Sequence, residues 1–154
     1  MTIISVDRLS PPPKNKDCPE QVTRTADVNF DGRQIGTIRI TGEGPAQMEL
    51  LENAKPEDIR NAGQAAMGTH KAPSLYAHVE QLFQQEIDRD RNIRRMRTKL
   101  RKSTLFSVPG KKLQLIERPY SESIRSLIKQ RHPEAVILNT LSEEDAFRHY
   151  LEPR

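Results

Sequence analysis

Eight cationic side chains stand close together in one stretch of this chain: Arg89, Arg91, Arg94, Arg95, Arg97, Lys99, Arg101 and Lys102, with one acid, Asp90, among them. Residues 89–102 therefore carry +7 while the whole chain carries +4, so everything else sums to −3. A local excess of that size points to a localised anionic partner. Phosphates ask for several long cationic side chains on a rigid track, with arginine able to bind bidentately. On a helix, positions 91, 94, 95, 98, 101 and 102 share one face. Arg91, Arg94, Arg95, Arg101 and Lys102 would then form a stripe, Arg97 and Lys99 would broaden it, and Asn92 and Thr98 would add hydrogen-bonding groups. These seven cations, 91 to 102, are the candidate nucleic-acid-binding residues. The stretch has no aromatic residue for base stacking, which disfavours a single-strand reader. Two other uses of the same pattern stay open: an acidic protein surface as partner, or a solvated face paired with acids of the chain itself.

The remaining chemistry-bearing residues form no set. His70, His78, His132 and His149 match neither HExxH nor a histidine pair one turn apart. Asp145 and His149 are spaced to meet on a helix, which reads as a surface ion pair. Ser121-Glu122-Ser123 opens a helix after a strand, and without a glycine-rich loop it reads as a cap. There is no GxSxG, P-loop or GxGxxG sequence. Cys18 is the only cysteine, so neither an intramolecular disulfide nor a thiolate metal site can form within one chain. The expectation is a non-catalytic protein with no cofactor, no metal and no catalytic residue.

The element that must position the cations is a run over 74–103, about thirty residues without glycine or proline and rich in good helix formers. At 1.5 Å per residue, one helix there would be roughly 45 Å long. Leu75, Val79, Leu82, Phe83 and Ile87 make an apolar stripe in its first half, and Ile93, Met96 and Leu100 in its second. The step from Ile87 to Ile93 is six residues, and Asp88-Arg89-Asp90-Arg91 fills it. A kink, a solvated bridge and a boundary between two helices all fit that interruption. The stripe reads first as core packing and second as a seam for a homo-oligomer.

Residues 1–22 are expected to be a flexible tail, with Pro11, Pro12 and Pro13 in an extended segment. Ile3, Ile4, Val6 and Leu9 would serve as anchors if the tail docked or added an edge strand. Residues 23–41 read as a β-hairpin with the turn at Asp31-Gly32. A three-residue loop ending at Arg33 pairs Val28 with Gly36 and Ala26 with Ile38 and gathers the apolar residues on one face. Two short helices are expected next, over 46–54 and 56–67, the second with Pro56 in its first turn. After the long helix the pattern reads as a βαβα element over 104–154. Its strands are 113–117 and 135–138, the latter a continuous apolar run suited to a buried parallel strand. Its helices are 121–131 and one opened by Thr140 and Glu143 at capping-box spacing. The fold class is α+β: a tail (1–22), a hairpin with short helices (23–73), a long helix (74–103) and the βαβα element (104–154).

With 34% hydrophobic and 30% charged residues, the chain can bury only a thin core. The N-terminus lacks the basic and long apolar regions of a signal peptide. No run approaches the ~20 apolar residues of a membrane span, so no membrane partner and a cytoplasmic location are expected. The function these observations support first is binding of a polyanion, a nucleic-acid backbone, by the helix over 89–102 without strong sequence reading. The runner-up is an adaptor or assembly subunit that docks proteins through the long helix, the tail or the hairpin edge.

Overall fold

The computed structural model describes residues 3–12, 23–42 and 44–151. Cys18 and the polar segment around it lie outside those residues. The architecture is α+β, and the chain divides into two compact units, Met1–Arg89 and Asp90–Arg154.

The first unit is built on an antiparallel sheet of four strands in chain order: β1 (Ile4–Asp7), β2 (Thr23–Phe30), β3 (Arg33–Thr41) and β4 (Gln47–Leu50). Val28 faces Gly36 and Ala26 faces Ile38 across β2 and β3, the pairing expected from the apolar pattern. The extra residue sits elsewhere than expected. Asp31 (φ 49°) and Gly32 (φ 80°) alone form the turn, so Phe30 faces Arg33, and the register then shifts at a bulge on Ile35. Two positive φ values give the turn the twist that matches the flanking strands. The bulge restores every apolar residue to the inner face.

Two stretches differ from expectation here. Residues 4–7 leave the anticipated tail to form β1, with Ile4 opposite Phe30 and Val6 opposite Val28. Their period-two alternation covers an edge of β2 that would otherwise be open. Where a helix was expected over 46–54, Gln47–Leu50 form β4: Ala46 just before it and Met48 within it face the core at strand spacing, and Met48 pairs with Ile38. Gly36 makes that pairing possible, because a Cβ there would stand 2.5 Å from the backbone oxygen of Glu49.

Helix α1 (Pro56–Gly68) lays Ala62, Ala65 and Ala66 on the core. Arg33 ties the hairpin to it, donating to both carboxylate oxygens of Asp58 at 3.1 and 2.7 Å. Helix α2 (Leu75–Lys102) runs without interruption through Asp88-Arg89-Asp90-Arg91, where the first unit ends. Its Val79, Phe83 and Ile87 belong to the first unit's core, beside Val28, Phe30 and Ile38.

In the second unit, β5 (Thr104–Ser107) is the middle strand, and all four of its residues are buried. β6 (Gln114–Ile116) and β7 (Val136–Ile137) flank it, each antiparallel to it. The chain keeps the order strand–helix–strand–helix from β6 through α3 (Glu122–Arg131) and β7 to α4 (Glu143–Leu151). The parallel pairing expected of 135–138 is not made, because β5 lies between β6 and β7 and pairs with both. Neighbouring residues of β5 serve opposite faces of the sheet. Phe106 packs with Ile124, Ile128, Ala135 and Ile137 under α3. Leu105 packs with Met96, Leu138, Ala146 and Phe147 beneath α2 and α4. The side chains named for an oligomer seam thus lie in the cores of this chain: Val79, Phe83 and Met96 are essentially inaccessible, and Leu75, Leu82, Ile93 and Leu100 pack against them.

Candidate nucleic-acid interface on the long helix

Helix α2 starts on Ser74, whose Oγ accepts the Ala77 N–H at 3.1 Å, the usual way to satisfy an orphan donor at a helix start. Near its other end Met96 is fully buried, with Ile93 and Leu100 beside it. Burying that face of α2 turns the opposite one outward. Arg91, Arg94, Arg95, Thr98, Arg101 and Lys102 all lie on it and are exposed, and Arg97 and Lys99 stand exposed on its flanks. From Arg91 to Lys102 the stripe is roughly 16 Å long. Arg94, Arg97, Thr98, Leu100 and Arg101 line one open depression.

The cations are not equivalent. Arg94 pairs with Asp90 one turn earlier at 2.9 Å. Arg97 donates from Nε and Nη2 to the two carboxylate oxygens of Glu143 at 2.6 and 2.7 Å. That hydrogen bonding holds the Glu143 carboxyl below its ordinary range and raises Arg97. Lys99 reaches the Tyr150 hydroxyl at 3.4 Å and lies 5.5 Å from the centre of its ring. Arg89 and Arg91 also have partners of their own. Arg95, Arg101 and Lys102 form no ion pair or hydrogen bond among the described residues. Part of the stripe is therefore matched internally, and its C-terminal end is not.

One residue that the sequence did not single out fixes that end. Asn139 lies in the 3-10 turn after β7 (Leu138–Thr140). Its Nδ2 donates to the carbonyls of Leu100 and Ser103, both at 3.0 Å, and its Oδ1 accepts the Leu105 N–H at 2.9 Å. Asn139 thereby caps the last turn of α2, which bears Arg101 and Lys102, and anchors the start of β5. An asparagine after an apolar run signals a turn, but nothing local names partners more than thirty residues away.

The other candidate groups play structural parts. Ser121 accepts the Ile124 N–H and caps α3. The cap of α4 is Ser142, which accepts the Asp145 N–H, whereas Thr140 bonds to the Ile137 carbonyl. Asp145 meets Arg148 at 3.8 Å. His78 is buried and stacks on His70 with ring centres 4.1 Å apart, and burial together with His70 pulls its pKa below the usual imidazole value. A concavity of about 400 Å3 near α3 and β7 is lined by Tyr120, Arg125, Lys129 and Thr140 among others. Its cations are engaged, Lys129 on the Ala135 carbonyl at 2.6 Å and Arg125 with Glu122 at 3.5 Å. Among the described residues no three His, Cys, Asp or Glu side chains gather as a metal ion would need, and no helix is long and apolar enough to cross a membrane. Comparison with family models, curated proteins and solved structures finds no match to this chain.

Proposed function

We propose that this protein is a non-catalytic binder of a polyanion, a nucleic-acid backbone, and that the exposed face of α2 is the track. One observation carries the reading. Arg95, Arg101 and Lys102 stand exposed on a single face with no acid of the described chain to meet them, beside cations that are matched. Positions 95 and 102 are roughly 10 Å apart along the axis, enough for two or three successive phosphates of one strand. The backbone that carries these cations is anchored by Met96 in the core on one side and by the Asn139 hydrogen bonds to Leu100 and Ser103 at the end. The face carries no aromatic side chain on which bases could stack, and the contacts proposed are to the phosphate backbone.

The test is fluorescence anisotropy of a short labelled duplex, titrated between about 50 and 200 mM salt. The triple variant Arg95→Glu, Arg101→Glu, Lys102→Glu leaves the Arg94–Asp90 and Arg97–Glu143 pairs intact. Its slope of log affinity against log salt should fall by about 2.7, three phosphates at about 0.9 each. Binding that ignores salt, or a variant with an unchanged slope, would overturn the reading. A second reading has its own support. Arg97 already holds the Glu143 carboxylate bidentately, so the same helix accepts an acidic protein surface, as an adaptor would. That reading requires a stoichiometric protein complex that the triple variant no longer forms.

A further inference from the structure

β6 is an edge strand of the second unit's sheet. The Leu105 N–H is taken by Asn139, on the side of β5 away from β6. In an antiparallel ladder alternate residues of a strand bond to opposite sides. Leu105 and Leu115, which face each other, are therefore the pair that exchanges no hydrogen bonds, while Thr104 with Ile116 and Phe106 with Gln114 are the pairs that do. It follows that the N–H and C=O of Leu115 point out of the sheet, toward the open edge.

Beside that edge runs a groove of about 240 Å3, lined by Phe106, Ile116, Leu127, Ile128 and Arg131 among others. Leu115 of β6 and Leu127 of α3, which both line this groove, are each 44% exposed. The surroundings of β6 are basic in sequence: Arg131 lines the groove, Lys111 and Lys112 precede β6 and Arg118 follows it, all exposed, with Glu117 the one acid between 111 and 118. Lys112, Arg118 and Arg131 have no acid partner among the described residues. A second copy of the chain would not suit this edge: antiparallel pairing about Leu115 sets Lys112 opposite Arg118 of the other copy, like against like.

We propose that the β6 edge docks an extended acidic peptide segment of another protein by strand addition. The peptide backbone pairs with the outward N–H and C=O of Leu115. One apolar side chain enters the groove over Ile116 and Leu127, its neighbours lie against Leu115, and flanking carboxylates meet Lys112, Arg118 and Arg131. Main-chain bonds supply affinity and the alternating side chains supply selectivity. This surface is separate from the cations of α2, and the proposal stands whether or not those bind nucleic acid.

The experiment is a titration of the isotope-labelled full chain with an acetylated, amidated peptide of sequence EDVLVDE, followed by amide shifts. Saturable changes centred on residues 114–116 and 127–131 are expected, with the counterpart KKVLVKK binding at least about tenfold more weakly. Leu115→Pro removes the outward N–H without touching the β5 ladder, as an edge strand tolerates. It should weaken binding roughly fivefold. Leu127→Glu changes an exposed helix position, so folding survives, and it should weaken binding further by closing the groove with a negative charge. Equal binding of the two peptides, changes confined to residues 91–102, or dimerisation through β6 without peptide would each overturn the proposal.

Discussion

Replacing Asn139 by alanine should unlock the end of the long helix. The side chain makes three hydrogen bonds, to Leu100, Ser103 and Leu105, all between 2.9 and 3.0 Å. A net bond of this kind contributes about 0.5–1.5 kcal/mol, and the site is only part-buried, so water recovers some of what is lost. The expected cost is about 2–3 kcal/mol. For a unit the size of Asp90–Arg154 that is a fall in melting temperature of roughly 10–20 °C. Asn139→Asp separates this clamp from simple packing. Aspartate keeps an acceptor for the Leu105 N–H but turns a carboxylate oxygen toward two carbonyl oxygens. At neutral pH it should be worse than alanine. The repulsion raises its folded pKa, so the deficit relative to the parent protein should shrink as pH falls and protonation restores a donor. Urea unfolding followed by amide exchange reads both variants, with protection lost first at Leu105 and over 100–103. A cost below about 0.5 kcal/mol, or an aspartate no worse than alanine at pH 7, would refute the clamp.

Two glycines should respond to alanine with opposite signs. Gly36→Ala drives a Cβ into the Glu49 backbone and should cost about 1–3 kcal/mol, with exchange rising at the Leu51 N–H that bonds to Ile35. Gly63→Ala, with open space around it in the middle of α1, should raise stability by about 0.5–1 kcal/mol. Acid should loosen the first unit through Asp58, whose carboxyl the Arg33 hydrogen bonds hold below its ordinary value. Its stabilisation is complete above the unfolded pKa of about 3.9 and disappears as pH falls through the lower folded value. Asp58→Asn should therefore flatten the acid limb of the urea midpoint read from first-unit amides, and an unchanged limb would count against the pair.

Local features of the sequence determined the elements whose signal is short-range. The run over 74–103 without glycine or proline specifies helix, though its continuity through Asp88-Arg89-Asp90-Arg91 was open until the fold showed one helix; Pro56 opens α1, and Ser121 caps α3. The alternation of Ala26, Val28 and Ile38 gives the hairpin its pairing even though the bulge sits at Ile35 and not in the loop. The cationic face of α2 was legible for the same reason, since its positions follow from the helical period and the burial of Met96. Tertiary structure decided what depends on distant partners. Strands of four residues such as β1 and β4 have too few periods to declare themselves and exist because β2 and β3 offer them an edge. The antiparallel setting of β7 follows from β5 lying between it and β6. Which cations are matched is decided across the chain as well: Glu143 lies 46 residues from Arg97, and Asn139 lies 39 from Leu100. Periodicity and turn chemistry act between neighbours and can be read in order. Strand pairing, ion pairing and capping by remote side chains arise only when the packed core brings those groups together.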